Sequence, residues 1–227
     1  MLRYLIGFLF LICYASALPM VALKFVDPST SAFIERNKPN KNIRQNWIAI
    51  DDVSLYFSNA VIAAEDQQFV NHFGFDLKQI YLVVSDASPG LARGASTISQ
   101  QTVKNMFLWP KKSLFRKAVE AWLTLWMELI LPKQRILELY INFAQFGKTV
   151  FGIGAAAPHY YGVNASQLTA RQAALIAASL PTPSRSNPAR PSSYLNQRAD
   201  YILDQMPRVG GRRLIRELLG QAQASKR

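Results

Sequence analysis

Apolar residues fill Leu5 to Leu23 almost without interruption, broken only by Tyr14 and Ser16, with Arg3 before the run and Lys24 after it. Such a run meets the roughly 20 residues that a helix needs to cross a bilayer. Two readings compete. Ala15-Ser16-Ala17 resembles a signal-peptidase site after a short apolar run, but the apolar character continues through Pro19 to Leu23, which favours a retained anchor over residues 1–24; either way the rest of the chain is exported. Residues 25–46 mix Pro28, Pro39, Asn and Lys without a period and read as an extended juxtamembrane connection. From Trp47 to the end, 47–227, the pattern is helical nearly everywhere. The stretch Val61 to Asp76 predicts a helix with Glu65, Phe69 and His72 on one face, ending near His72 where Gly74 permits a turn. Asp76 can cap a helix over Leu77–Val84, and Ser85–Gly94 reads as a mobile loop. Thr97 with Gln100, and Thr169 with Gln172, form capping boxes. Ser113 can cap a long helix to about Ile130, whose turns from Ala121 on are apolar almost all round and carry Trp122 and Trp126; such a helix is buried or dips into a membrane interface. Further helices are expected over Lys133–Asn142, from Thr169 to Leu180 and over Ser193–Met206, followed by a weak basic tail. Small residues between Phe146 and Gly162 let helices approach closely. No strand series and no repeat is seen, so the fold class is mainly α.

Composition narrows the partners. The chain has 227 residues, 50% hydrophobic and 18% charged, enough for one domain with a substantial core. Its net charge of +12 implies a negatively charged partner: nucleic acid, anionic lipid or a phosphorylated substrate. Cys13 alone excludes an intramolecular disulfide, and with only His72 and His159 besides, a His/Cys zinc site is not credible.

Three clusters can carry chemistry. Glu65, on a face a helix normally buries, should have a raised pKa suited to general-base work, with Asp66 beside it; the plainer reading is a glutamate at the rim of a core helix. At the second cluster, the helix start beside the Ser96 and Thr97 hydroxyls suits an anionic group, and Gln100, Gln101 and Lys104 are spaced to face one ligand; the alternative is an ordinary amphipathic surface helix. In the third, Glu120 lies three and four residues from Lys117 and Arg116. That spacing fits either a surface ion-pair cluster worth a few tenths of a kcal/mol or a carboxylate held among cations where a phosphate could sit. Glu138 reads as a structural partner of Arg135 or Lys133.

Together, five segments resemble the peptidoglycan glycosyltransferases of glycosyltransferase family 51. They are Glu65-Asp-x-x-Phe69-x-x-His72-x-Gly74-x-Asp76, Gly94-x-Ser96-Thr97-Ile98-x-Gln100-Gln101-x-x-Lys104-Asn105, Arg116-Lys117-x-x-Glu120, Lys133-x-x-Ile136-Leu137-Glu138-x-Tyr140-x-Asn142, and Gly152-Ile153-x-x-Ala156-Ala157-x-x-Tyr160-Tyr161-Gly162. Tyr161 and Arg171 depart from the commoner Phe and Glu. The resemblance implies a lysozyme-like helical lobe with a smaller membrane-associated lobe, preceded by one transmembrane helix. It implies polymerisation of lipid II into β-1,4-linked glycan strands, with inversion at the donor carbon and release of undecaprenyl pyrophosphate. By the same resemblance Glu65 is the base and Glu120 a second catalytic carboxylate that orients the cations or the acceptor. Asp66, Ser96, Thr97, Gln100, Gln101, Lys104, Asn105, Arg116 and Lys117 would bind substrate, with Lys104, Arg116 and Lys117 neutralising the pyrophosphate. No cofactor is required; Mg²⁺ could act through the pyrophosphate, since no protein cage of carboxylates is visible. No Ser-x-x-Lys or Lys-Thr-Gly signature is found, so no transpeptidase domain is expected. Asn187-Pro188 and the segment from Pro191 to Met206 look like the monofunctional biosynthetic enzymes of Gram-negative bacteria, which implies an inner-membrane anchor and a periplasmic domain. The expected partners are then lipid II, the growing lipid-linked glycan, the membrane, and cell-wall synthesis or division proteins, with no nucleic acid. A muramidase of lysozyme-like fold is the alternative enzyme, and a basic membrane-anchored scaffold the non-enzymatic one.

Overall fold

A computed structural model describes residues 1–38, 42–85 and 96–224. In chain order the elements are α1 (Leu2–Phe25), α2 (Ala32–Asn37), β1 (Arg44–Gln45), α3 (Leu55–Glu65), α4 (Leu77–Ser85), α5 (Ile98–Phe107), α6 (Leu114–Ile130), α7 (Lys133–Phe143), β2 (Val150–Phe151), α8 (Ile153–Tyr161), α9 (Ala170–Ala178), α10 (Ser193–Arg208) and α11 (Gly211–Ala224). The fold is mainly α. Its only strands among the described residues are the two-residue β1 and β2, paired in parallel with Arg44 opposite Val150. The expected loop at Ser85–Gly94 lies, from residue 86 on, outside the described residues, as does Gly94 itself.

At the centre is α3, buried from Phe57 to Ala63 and enclosed by α9, α10 and α11. It stops at Glu65, seven residues short of His72. Asp66 leaves the helix at φ −161°, ψ 77° and spends its carboxylate elsewhere: the Ile98 N–H donates to Oδ2 at 2.9 Å, and His72 Nε2 lies 2.9 Å from Oδ1. Gly74, at φ +82°, closes the turn and its carbonyl accepts from the Thr97 hydroxyl at 2.7 Å. Phe69 and His72 therefore reach the core from a turn, edge to face, rather than from a shared helical face with Glu65.

The local caps form as their sequences dictate. Thr97–Gln100 and Thr169–Gln172 close as capping boxes, Ser113 accepts from the Arg116 N–H, and Asp76 Oδ1 accepts from the Gln79 N–H at 2.9 Å. Two segments read as irregular are not. Residues 25–46 contain α2, capped by Ser31, which buries Ile34, lays Phe33 edge-on to Phe151 and donates from Arg36 to the Leu108 carbonyl. A six-residue helix with one buried side chain leaves no period to detect. The basic tail is α11, which buries Ile215 and stacks Arg212 on the Tyr56 ring, while α10 runs two residues past Met206.

Helix α6 buries two glutamates beside Met127 and turns several large apolar side chains outward. Glu120, Thr124 and Glu128 are buried, whereas Leu114 is 91% exposed and Phe115, Leu125 and Leu129 are exposed with it. Helix α1, whose residues 6–25 have a mean hydropathy of 2.2, lies against α6: Trp122 Nε1 donates to Ser16 Oγ at 2.9 Å. Arg135 fastens its end, donating to the Leu23 and Val26 carbonyls at 2.8 Å each and pairing with Asp27 at 2.7 Å. Arg135 also pairs with Glu138, as its spacing suggested. A helix of this length and hydropathy is compatible with a single-pass membrane anchor.

Candidate active site

Glu65 ends α3 at a point where α5 and α10 close over it. Its side chain is 15% exposed. Gln101 Nε2, on α5, donates to Glu65 Oε2 at 3.0 Å, and the Arg198 guanidinium on α10 lies 3.6 Å from Oε1. Tyr140 on α7, buried, donates to Gln101 Oε1 at 3.4 Å, which turns the amide NH₂ toward Glu65. Burial raises the Glu65 pKa, and neighbouring Asp66 adds to the rise; the Gln101 hydrogen bond, Arg198 and Lys104 oppose it without cancelling it. The Tyr140 hydroxyl is held well above its ordinary value by burial and by the nearby Glu65 and Asp66 charges, so it stays a donor.

Two cavities lie on either side of the Glu65–Gln101 hydrogen bond, Glu65 lining one and Gln101 the other. The larger, about 820 Å³, is lined by Glu65, Asn71, Lys78, Ser96, Arg198 and Tyr201 among others. The smaller, about 370 Å³, lies beyond Gln101 and holds four cations, Arg36, Lys104, Lys112 and Arg116, together with Asn105, Trp109 and Tyr140. Lys104 has its pKa lowered by lost hydration, while Glu120 and Glu65 both pull it back up, so the ammonium feels both carboxylates. Glu120 is buried and bound to Arg116 Nη1 at 2.8 Å and to the Lys117 ammonium. It fixes the cations from behind rather than facing either cavity. The arrangement is a desolvated carboxylate beside a space able to hold a polyanion, the combination needed to activate a hydroxyl while a phosphate departs.

Not every expected ligand is free to bind. Glu65 borders the larger cavity with Asp66, Ser96 and Thr97, and Gln101, Lys104, Asn105 and Arg116 border the smaller. Lys117 is half exposed and borders neither. Asp66, Thr97 and Gln100 are buried and engaged with the chain itself: Asp66 with Ile98 and His72, Thr97 with Gly74 and Gln100. The anion at the N-terminus of α5 is thus the protein's own Asp66. Asp66→Ala removes a helix cap and a buried partner of His72 together, and should lower stability by about 2–4 kcal/mol; urea unfolding measures it. Arg198 and Arg36 escaped the sequence reading because they reach the site from α10 and α2, with no local pattern to mark them. Lys112 sits in a Lys-Lys pair that looks like any solvated charge run. Among the described residues, no group of three His, Cys, Asp or Glu side chains is arranged to hold a metal.

A family model described as Transglycosylase matches residues 31–207. Proteins named biosynthetic peptidoglycan transglycosylase are similar over nearly the whole chain. The one from Shewanella oneidensis is 45% identical across 87% of this chain and 87% of its own. Those from Ectopseudomonas mendocina and Xanthomonas campestris pv. campestris are 42% and 41% identical, over 95% and 92% of this chain and 93% and 89% of theirs. Similarity of this extent, over a stretch that contains every side chain converging on Glu65, shows that the chain belongs to the transglycosylase family.

Proposed function

We propose that this monofunctional peptidoglycan glycosyltransferase, which polymerises glycan strands, uses Glu65 as general base and the smaller cavity as the seat of the donor's pyrophosphate. The observation that carries the reading is the position of Glu65, desolvated in the wall of the larger cavity and hydrogen-bonded to Gln101, which lines the cation-rich one. The acceptor sugar enters the larger cavity with its 4-hydroxyl toward Glu65. Its oxygen attacks the donor anomeric carbon, the proton passes to the Glu65 carboxylate, and the bond from that carbon to the phosphate oxygen breaks, with the electron pair leaving on the undecaprenyl diphosphate. Attack opposite the leaving group inverts α to β. Lys104, Arg116 and Lys112 neutralise the departing charge, so no general acid is needed. Glu120 acts through Arg116 and Lys117, as a positioning residue. Any Mg²⁺ would ride on the substrate's pyrophosphate, since Glu120 and Asp66 are engaged with protein partners.

The apolar side chains of α1 and the outward face of α6 support a seat at a membrane surface, with the polyprenyl tail in lipid and the diphosphate in the cavity beside Trp109 and Arg116. In a Gram-negative cell this is the periplasmic face of the inner membrane.

Purified full-length protein should convert lipid II in detergent to glycan polymer; inertness would overturn the proposal, and release of soluble muropeptides from isolated sacculi would point to cleavage instead. Arg116→Met and Lys104→Met should weaken donor binding about 10-fold or more while leaving the acceptor KM within about 2-fold, the pattern for loss of a charge-assisted phosphate contact. Equal losses for donor and acceptor contradict the pyrophosphate assignment.

A further inference from the structure

We propose that Arg198 is a positioning residue for the Glu65 carboxylate, holding it ionised and aimed into the larger cavity without occupying the oxygen that receives the proton. The inference rests on the reading of Glu65 as base. Its geometry is a bracket. Gln101, from α5, donates to Oε2 at 3.0 Å, and Arg198, from α10, faces Oε1 at 3.6 Å. The first is a hydrogen bond and fixes the plane of the carboxylate. The second is too long for one, yet close enough for charge attraction. Oε1 therefore keeps its lone pairs for the acceptor hydroxyl while still feeling the guanidinium. A direct Arg–carboxylate hydrogen bond would fill that oxygen and depress its basicity.

The reach of Arg198 is fixed by the helix that carries it. Leu195, Ala199 and Ile202 are buried against the core, and Gln205 accepts from Gln67 at 3.4 Å, tying α10 to the turn just after Glu65. Arg198 is 26% exposed and lines the larger cavity with Tyr201 and Lys78. The other charged or titratable groups around Glu65 are Lys104 on α5, Asp66 next to it in the chain and Tyr140 on α7. From α9, Arg171 is engaged by Asp200 and Asn196; from α11, Arg212 covers Tyr56. Arg198 is thus the cation that α10 brings to the base.

The test is the pH dependence of kcat/KM for lipid II polymerisation in the full-length protein and in Arg198→Gln and Arg198→Lys. Loss of the cation should move the acid limb of the Gln variant up by about half to one pH unit, less than a fully buried ion pair gives. Below the limb its rate then falls about 3- to 10-fold, while the alkaline plateau stays within about 2-fold of the parent because a stronger base is no worse a catalyst. The Lys variant should keep the parental limb. If the Gln protein does not fold, Arg198→Met, which keeps the aliphatic stem's packing, carries the same readout. An unmoved limb, a loss uniform across pH, or a Lys variant displaced as far as Gln overturns the inference. Activity retained in Glu65→Gln would instead remove the base reading itself, so the two failures are separable.

Discussion

Replacing Glu65 with Gln should lower the rate of glycan polymerisation by 10² or more, the usual worth of a general base, and leave the melting temperature at pH 7 unchanged or raised. The amide keeps the shape of the carboxylate and can still accept from Gln101, but it cannot take a proton. The stability half follows from desolvation. The folded-state pKa of Glu65 is raised above its unfolded value, burial being the first cause. The stabilising contribution of such a group is complete below the unfolded pKa, about 4.3, and is lost as pH rises through the folded pKa. At pH 7 the ionised side chain is a net cost to folding, which the amide removes; the variant's advantage should shrink to nothing in acid. A fluorescent lipid II gel assay and thermal melts at pH 7 and pH 4 measure both halves. More than a tenth of the parental rate, or a lower melting temperature at neutral pH, counts against Glu65 as a desolvated base.

Glu120→Ala should impair both folding and catalysis, by a different route. Glu120 is the shared counter-ion of Arg116, whose side chain is 12% exposed, and of the half-exposed Lys117. Its loss leaves Arg116 beside Lys104 and Lys117 without their shared counter-ion, Lys104 still feeling only Glu65. Breaking a buried pair costs about 3–5 kcal/mol, and the exposure of Lys117 reduces this to about 2–4. Polymerisation should fall about 10²-fold as the cations swing away from the leaving group. Glu120→Gln, still able to accept from Arg116, should recover part of both. If Glu120 itself moved the proton, Gln would be as inactive as Ala while folding normally. Parallel urea titrations and rate assays on the two variants separate these roles.

What the sequence made legible was local. The caps at Thr97, Ser113, Thr169 and Asp76 are side chain–backbone bonds spanning three residues, so short-range spacing suffices to find them. The cluster of Arg116, Lys117 and Glu120 is one turn of one helix and forms as its spacing implied. Burial of Glu65 was foreseen, but for another reason: the helix face expected to carry Phe69 and His72 ends at Glu65, and the wall is supplied by α5 and α10. What ends α3 is the partner of Asp66 at Ile98, 32 positions away, which no window along the chain contains. Arg198 and Arg36 were invisible on the same ground. Helix α11 does carry a signal, since Leu214, Ile215, Leu218 and Leu219 recur at helical spacing among its arginines. The two alternatives to a synthetic enzyme do not survive the comparisons, because the matching relatives are named as transglycosylases of peptidoglycan biosynthesis.

The central claim is that the Glu65 carboxylate is dry enough to hold a proton more tightly than an ordinary glutamate and is the group that titrates in catalysis. Infrared difference titration of the parent against Glu65→Gln isolates this carboxylate. The account predicts a midpoint above about 4.3, coinciding with the acid limb of kcat/KM for lipid II polymerisation; a midpoint at or below that value, or one unrelated to the limb, would contradict it.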